Sequence, residues 1–166
     1  YCIAPSTQCI PIPNNLSFEE ASVIPETFFT VWFNLFIRSK IKKGKKILIH
    51  GGSSGIGTTA IQFAKYFGLE VFTTTRSDIK VKKCKKIGAN YAINAKKNDF
   101  EIFIKKKTKN TGVDFILDIV GGNYVQKNIN ILKRNGTLIN IGWLTGSVVN
   151  VNLLMIMLKR LSLIHI

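Results

Sequence analysis

Two kinds of hydrophobic pattern alternate along the chain: short continuous apolar runs, and longer segments whose apolar positions have helical spacing. The clearest run, Ile-Leu-Ile at residues 47–49, is typical of a strand buried on both faces. A glycine-rich turn follows at residues 51–57, and Ile61, Ala64 and Phe67 then lie at the spacing of one helix face. The pattern therefore predicts a strand, a glycine turn and a helix that ends at Phe67.

The same alternation continues through most of the chain. It predicts strands at residues 70–74, 91–93, 114–120 and 137–141, and helices at residues 78–87, 99–107 and 124–132. Upstream, Pro25 separates two helix starts, and the second segment is apolar almost all round, so we expect it to be buried. Alternating strands and helices predict right-handed crossovers and a doubly wound α/β fold, in which helices cover both faces of a parallel sheet.

Strand, glycine turn and helix together form a candidate phosphate site. Glycines let the backbone approach a pyrophosphate, and the helix N-terminus presents unpaired N–H groups and the positive end of its dipole. Because a strand and a helix flank the turn, the motif predicts dinucleotide binding more strongly than glycines alone would. Ligands of such sheets bind beyond the carboxyl ends of the strands. That rule selects the loops at residues 51–57, 75–77, 120–122 and 142–143.

The end of the second strand indicates which dinucleotide binds. Folds that take NAD usually carry an Asp or Glu about 20 residues past the glycines, where it holds the ribose hydroxyl. This segment reads Thr74-Thr75-Arg76-Ser77 without an acid, and Lys80 follows one helical turn later. Cations pair with a ribose 2′-phosphate and a carboxylate repels it, so the segment predicts NADPH. The alternative is that Arg76 and Lys80 are solvated surface cations.

Two other chemistries fit the glycine turn. Residues 51–55 match G-x-S-x-G, the hydrolase nucleophile elbow, with Ser53 as the nucleophile. That mechanism needs a later histidine, and His165 lies in a terminal segment that we exclude below. The turn also resembles the short-chain dehydrogenase pattern, which requires a Tyr with a Lys four residues later. Tyr124 and Lys127 have the wrong spacing, so this family stays a minor alternative.

Composition and charge restrict the classes of function. With 166 residues, 46% of them hydrophobic, the chain can form one sizeable core. No apolar stretch reaches the roughly 18 residues of a membrane span. The net charge of +15 comes mainly from scattered lysines, so we expect a solvated surface, with a nucleic-acid interface as the alternative. Cys2, Cys9 and Cys84 lack metal-binding spacing and an even count, which indicates reduced thiols in a cytoplasmic protein.

Three motifs, in order along the chain, resemble the medium-chain dehydrogenase/reductase superfamily. They are Pro-Glu-Thr-Phe-Phe-Thr-Val-Trp at residues 25–32, His-Gly-Gly-Ser-Ser-Gly-Ile-Gly at 50–57 and Asp-Ile-Val-Gly-Gly at 118–122. The chain is most similar to the quinone oxidoreductase branch, near zeta-crystallin. The resemblance implies that residues 1–22 are the tail of a GroES-like catalytic domain and residues 23–160 a Rossmann NAD(P)-binding domain. Residues 161–166 resemble the translation of a sequencing-library adapter, and we expect them not to belong to the natural protein.

The resemblance also implies a set of cofactor-binding positions. These are Thr30, Gly52, Ser53, Ser54, Gly55, Ile56, Gly57, Thr74, Arg76, Ser77, Lys80, Val120, Ile141, Gly142 and Trp143. The glycine turn would hold the pyrophosphate, the segment after the second strand would surround the 2′-phosphate, and Thr30 and Trp143 would lie near the nicotinamide. Val120 would border the ribose and adenine. The chain departs from many relatives at Ala95, where they have Tyr or His near the adenine phosphate.

One position bears on zinc. Zinc alcohol dehydrogenases of the superfamily have a cysteine ligand four residues before the threonine, and that position is Glu26 here. Glu can bind zinc, but a thiolate is the better ligand in this setting, so we expect a zinc-independent enzyme without a metal site. A zinc-type dehydrogenase is the alternative.

The implied reaction is hydride transfer from NADPH to a quinone or an activated enone. We assign no catalytic residue, because His50 is more readily explained as a structural histidine than as a catalytic one. Two alternatives come from other classes: RNA binding, as known in the zeta-crystallin branch, and a fragment that folds without catalysing a reaction.

A homodimer is the expected assembly. Residues 147–152, which follow Gly146, are rich in valine and nearly uncharged, so they are predicted to form a sixth strand at the sheet edge. An exposed edge strand is a template for pairing with another chain, and relatives in this branch dimerise by joining their sheets there. We therefore expect a continuous sheet across Val148 to Val151. An edge covered by another part of the chain is the alternative.

Overall fold

A computed structural model describes residues 2–165; Tyr1 and Ile166, the outer ends of the first and last predicted segments, lie outside the described residues. The helices are α1 Phe18–Ser22, α2 Ile24–Val31, α3 Gly55–Tyr66, α4 Asp78–Lys86, α5 Phe100–Lys107, α6 Tyr124–Ile131 and α7 Leu153–Lys159. The strands are β1 Lys46–Ile49, β2 Glu70–Thr75, β3 Tyr91–Asn94, β4 Val113–Asp118, β5 Leu132–Asn140 and β6 Ser162–His165. A 3₁₀ turn at Ser6–Gln8 precedes α1, and a π-helical segment, Trp32–Arg38, continues α2.

The six strands form one parallel sheet in the order β3-β2-β1-β4-β5-β6. Leu48 in β1 pairs with Phe72 of β2 on one side and with Ile116 of β4 on the other. The chain thus winds outward from β1 to β3, returns, and winds outward again from β4 to β6. This confirms the predicted doubly wound α/β fold. The reversal places a topological switch point between β1 and β4, where such sheets bind their ligands.

The sheet separates two hydrophobic cores, and β1 shows how the sequence builds both. Ile47 and Ile49 point into the core beneath α2, α3 and α4, whereas Leu48 points into the core beneath α5, α6 and α7. All three are fully buried because successive side chains of a strand face opposite sides of the sheet. A continuous apolar run is therefore the pattern that a central strand requires.

The segment after Pro25 corrects one prediction. Only one side of α2 and the π-helical segment is buried, chiefly Val31 and Leu35, although we expected burial nearly all round. That side packs on α3, where Trp32 and Phe36 contact the ring of Phe63. The opposite side includes Phe29, Phe33 and Ile37, each more than 40% exposed. The described chain covers only one side of this helix, so an apolar surface all round does not produce burial all round.

The sixth strand also differs from the prediction. Residues 147–152 form no strand; Val149 and Val151 pack instead against the core beneath α5, α6 and α7. The sixth strand is Ser162–His165, in register with residues 137–140 of β5. Helix α7 separates the two segments, as a right-handed crossover between parallel strands requires. The origin of residues 161–166 is not decided by this pairing, and that expectation stays a prediction.

Lys159 fixes α7 to the C-terminal end of α6. Its Nζ donates to the carbonyl oxygens of Ile129, Asn130 and Leu132, at 3.0, 2.8 and 3.0 Å. Carbonyls at the end of a helix lack intrahelical partners and carry the negative end of the dipole, so a lysine cation there stabilises the C-terminus of α6. Within residues 2–165, no helix is both long and apolar enough to cross a membrane.

Candidate functional site

The glycine turn between β1 and α3 brings the backbone closer to the sheet than a side chain would allow. A Cβ on Gly52 would lie 2.0 Å from Oγ1 of Thr73, and one on Gly57 would lie 2.3 Å from the carbonyl oxygen of Gly51. Ser54 caps α3 by accepting a hydrogen bond from the N–H of Gly57 at 3.0 Å. The helix therefore starts at Gly55, three residues earlier than predicted, and part of the expected turn is its first helical turn.

Of the predicted site residues at and after the end of β2, Thr74 is buried, whereas Arg76 and Lys80 are exposed. Thr74 is 3% exposed and points beneath the glycine turn, so it does not face the open edge where the 2′-phosphate was predicted. Arg76 is exposed and forms no ion pair with a residue in 2–165. Ser77 caps α4 by accepting from the N–H of Lys80 at 3.4 Å. Arg76 and the exposed Lys80 are thus the charged groups of this segment that are available to a ligand.

Asp78, the first acid after β2, is occupied by neighbours. Its carboxylate accepts hydrogen bonds from Asn94 at 2.8 Å and from Lys97 at 2.6 Å. These bonds, with that to Lys97 the larger effect, lower the pKa of Asp78 below its usual value. The carboxylate therefore faces the end of β3, and it is not the free acid that a ribose hydroxyl requires.

The loops after β4 and β5 lie against one another. The N–H of Thr145 donates to the carbonyl of Val120 at 2.9 Å, and the N–H of Gly122 donates to the carbonyl of Gly146 at 2.9 Å. The loop after β5 lies so close to the loop after β4 that a Cβ on Gly121 would lie 2.4 Å from the ring of Trp143. Both Gly121 and Gly122 have positive φ, at 69° and 53°, which favours glycine.

The start of α2 reaches the same edge. The methyl group of Thr27 would lie 3.1 Å from a Cβ on Gly55, so α2 begins beside the start of α3. One turn further, the Thr30 hydroxyl donates to the Glu26 carboxylate at 3.4 Å, and Glu26 is exposed. The structure thus places Thr30 and Glu26 on the element that borders the glycine turn.

A buried polar network lies under these loops, and the sequence analysis did not predict it. Both ring nitrogens of His50 are bonded: Nδ1 to the Thr74 hydroxyl at 2.9 Å and Nε2 to the Asn128 side-chain oxygen at 2.8 Å. The Asn128 amide donates to Asp118 at 3.0 Å, and the Asn140 amide donates to the same carboxylate oxygen at 3.4 Å. All five side chains are buried.

Burial determines the protonation of His50. The ring is 1% exposed. The Phe100 and Tyr124 rings pack against it in a T-shaped arrangement, with ring centroids 4.8 and 4.9 Å from that of His50. Desolvation lowers the pKa of His50, and the Asp118 carboxylate opposes this shift only in part. The imidazole is therefore neutral at physiological pH. Burial also raises the pKa of the Tyr124 phenol.

Apart from Thr30, which lies on α2, and Thr74, the predicted site residues gather at one edge of the sheet. The glycine turn, Arg76, Ser77, Lys80, Val120 and residues 141–143 lie in loops or helix starts at the carboxyl ends of adjacent strands. Thr74 lies below that edge. His50 is the structural histidine that we preferred, and because both its nitrogens are occupied it cannot serve Ser53 in a hydrolase. Asp118 was within reach of sequence reasoning, since an acid at a strand end precedes two glycines, whereas Asn128 and Asn140 carry no comparable signal.

Comparison with known proteins identifies the family. The family model described as "Zinc-binding dehydrogenase" matches residues 55–166, about two thirds of the chain. The chain is 34% identical over 134 residues to a highly reducing polyketide synthase, apmlA, of Arthrinium phaeospermum; the match covers 79% of this chain and 5% of that protein.

Solved structures show the same fold. The CurK enoyl reductase has a TM-score of 0.82 and 30% identity, with 95% of this chain and 46% of that chain covered. The Escherichia coli quinone oxidoreductase, solved as a complex with NADPH, has a TM-score of 0.85 and 28% identity, with 93% of this chain and 48% of that chain covered. The chain therefore spans less than half of these structures and a small part of the synthase.

Substituting alanine for Gly57 tests the close approach of the turn. We expect Gly57→Ala to lower the free energy of unfolding by about 1–3 kcal/mol, because its Cβ meets backbone atoms that cannot move independently. Gly55→Ala is the matched control, since its Cβ meets only the rotatable side chain of Thr27, and we expect a change below about 1 kcal/mol. Urea denaturation of the full-length variants measures both. Equal losses for the two variants would contradict the interpretation.

Proposed function

The chain belongs to the zinc-binding dehydrogenase family of the medium-chain dehydrogenase/reductase superfamily, and we propose that it is the cofactor-binding part of an NADPH-dependent reductase. The observation that carries the proposal is the turn at residues 51–57: side chains on Gly52 and Gly57 are sterically excluded, and the turn opens the helix at the switch point of the sheet.

The residues present fit a dinucleotide. The N-terminus of α3 would hold the pyrophosphate, and the carbonyls and N–H groups of the loops after β4 and β5 would border the ribose and nicotinamide. When bound, NADPH supplies the hydride. The protein's contribution is to orient the cofactor and to exclude water from it. His50 is buried below the loops with both nitrogens occupied, so it takes no part in proton transfer.

The choice of NADPH over NADH rests on the charges at the end of β2. Arg76 and Lys80 are exposed, and the nearby Asp78 carboxylate is held by Asn94 and Lys97. A 2′-phosphate would therefore meet cations and no free carboxylate. The NADPH complex of the E. coli quinone oxidoreductase supports the same choice.

For the substrate, we propose a carbon–carbon double bond conjugated to a carbonyl group, as in an enone, an enoyl thioester or a quinone. Two names among the relatives support this class: the CurK enoyl reductase and the E. coli quinone oxidoreductase. Both substrates accept hydride at an electron-poor carbon, so the shared chemistry accounts for both. The similarity to a highly reducing polyketide synthase favours the enoyl form.

We also propose that catalysis needs no zinc, although the family is named for it. Glu26 stands at the position of the zinc branch's cysteine, and its carboxylate accepts from Thr30. Residues 2–165 contain no group of three or more His, Cys, Asp or Glu side chains that could bind a metal. That statement covers only this part of the protein, so the proposal rests on the residue type at Glu26.

Assembly and location are proposals as well. We propose a homodimer, but not through Val148 to Val151, because that segment is no strand. In the described chain the sheet has two edges, β3 and β6. Because β6 lies in the segment that we expect not to belong to the natural protein, we assign neither edge as the interface. The free thiols of Cys2, Cys9 and Cys84 support a cytoplasmic location. Nucleic-acid binding stays an untested alternative that we do not favour, since a basic surface alone does not define such a site.

One experiment tests both the proposed reaction and its independence from zinc: the metal is removed, and reduction of a hydride acceptor is then measured. We expect the full-length protein, dialysed against a strong chelator, to oxidise NADPH in the presence of a 2-enoyl thioester or a 1,4-quinone. Absorbance at the nicotinamide band measures the rate, and elemental analysis confirms that zinc is gone. Activity that returns only when zinc is added would refute zinc independence, and no turnover with either acceptor, with or without zinc, would refute the reaction.

Reversing the charge of Arg76 tests the cofactor choice. Arg76→Glu should weaken NADPH binding by about 1–3 kcal/mol, roughly 5- to 150-fold in Kd, because a charge-assisted hydrogen bond is replaced by repulsion. NADH binding should change much less. Lys86→Glu makes the same change in net charge at the end of α4 and controls for long-range electrostatics. Titration of nicotinamide fluorescence measures the six dissociation constants of the three proteins with the two cofactors, and tighter binding of NADH by the wild type would contradict the prediction.

The dimer is tested by sedimentation of the full-length protein. We expect a single species of twice the chain mass at micromolar concentration, because an edge strand with unpaired N–H and C=O groups can pair with its copy about a two-fold axis. A wild type that stays monomeric at that concentration would exclude the proposed assembly.

A further inference from the structure

The buried network lies at the ends of the four strands that lead into the loops of the proposed site. His50 follows β1, Thr74 lies near the end of β2, Asp118 ends β4 and Asn140 ends β5. Asn128 connects them from α6. Four parallel strands therefore end on one connected set of hydrogen bonds, directly below the turns that would hold the dinucleotide.

The direction of each hydrogen bond follows from its neighbours. The Asn128 amide nitrogen donates to the Asp118 carboxylate, so its oxygen faces His50 and can only accept. His50 must then donate from Nε2. In a neutral ring Nδ1 is an acceptor, so it accepts from the Thr74 hydroxyl.

Both ends of this chain of bonds are backbone N–H groups of the glycine loops. At one end, Oγ1 of Thr74 accepts from the N–H of Gly51 at 3.4 Å. At the other, the second oxygen of Asp118 accepts from the N–H of Val120 at 2.7 Å and from the N–H of Gly121 at 3.2 Å. His50 is the only side chain of the network that joins the two halves, since each half bonds to a different ring nitrogen.

Water does not replace a broken link easily. Asp118 and Asn128 are fully buried, His50 is 1% exposed, and the Phe100 and Tyr124 rings cover the imidazole. A buried donor or acceptor that loses its partner keeps the full cost of desolvation. The network therefore holds one arrangement, and a change at His50 is transmitted to both turns.

We propose that His50 is a positioning residue that couples the turn after β1 to the turn after β4, and that its neutral Nε2–H tautomer holds the backbone of both turns in the geometry that receives the dinucleotide. This inference rests on the proposed function for its ligand, but the coupling itself concerns the free protein. The His50 side chain bonds to Thr74 and Asn128. It acts on Gly51 through Thr74, and on Val120 and Gly121 through Asn128 and Asp118.

Two substitutions separate the two halves of the network. In His50→Gln the side-chain amide reaches the place of Nε2, so it preserves the donor to Asn128 and removes the acceptor for Thr74. In His50→Asn the side-chain oxygen takes the place of Nδ1, so it preserves the acceptor for Thr74 and removes the donor to Asn128. Thr108→Val is the matched control, because Thr108 is also buried and its hydroxyl bonds Ile104 and Gly112, before β4.

Amide hydrogen exchange of the full-length protein without cofactor is the first measurement. We expect His50→Gln to raise the exchange rate at Gly51 at least tenfold more than at Val120 and Gly121, and His50→Asn to show the reverse. The ring nitrogen shifts of wild-type His50 should show the proton on Nε2. Equal acceleration in both turns by both variants, or a proton on Nδ1, would overturn the proposal.

Kinetics with NADPH is the second measurement. Both His50 variants should raise the KM for NADPH about tenfold and leave kcat within about twofold, because the chemistry is untouched once the cofactor is seated. Thr108→Val should lower the melting temperature without changing KM. A KM shift no larger than that of Thr108→Val at equal loss of stability would also overturn the proposal. A wild type that does not bind NADPH would refute the proposed function instead, and the exchange experiment would still decide the coupling.

Discussion

The carboxylate of Asp118 is fully buried, and the arrangement of the whole ligand edge follows from the need to satisfy it. It accepts from two backbone N–H groups of the next turn and from the amides of Asn128 and Asn140. An isolated carboxylate in such a place would be very unfavourable, so β4, β5 and α6 must keep these donors in place. His50 and Thr74 extend the same requirement to β1 and β2.

The close approach of α3 to the sheet is the second constraint. Gly52 and Gly57 leave no space for a side chain, and this lets α3 begin directly above the end of β1. Its free N–H groups and the positive end of its dipole then face the switch point. Fold and binding therefore share the same residues here, so a substitution such as Gly57→Ala changes stability and the cofactor site together.

The surface cations differ in what they contribute to stability and to ligand binding. Several lysines are paired with carboxylates, among them Lys97 with Asp78, Lys105 with Glu101 and Lys127 with Asp99. Exposed pairs of this kind contribute little stability. The pairing of Lys97 with Asp78 has a different consequence. It balances the charge of the acid that follows Arg76 most closely in the sequence, so the end of β2 stays positive for a phosphate group. The net charge alone does not reveal this distinction.

The sequence alone determined the class of fold, the glycine turn and the basic end of β2. Periodicity is local, and the run at residues 47–49, the glycines at 51–57 and the absence of an acid at 74–77 are each visible within a few residues. Tertiary structure decided the rest. The sixth strand was mislocated because residues 147–152 have the composition of a strand, but Val149 and Val151 pack against a core beneath the sheet. The helix after Pro25 was expected to be buried all round because a sequence does not show how many other elements pack against a helix. The partners of His50 lie 24 and 78 residues away, and only the fold brings Thr74 and Asn128 to its two nitrogens.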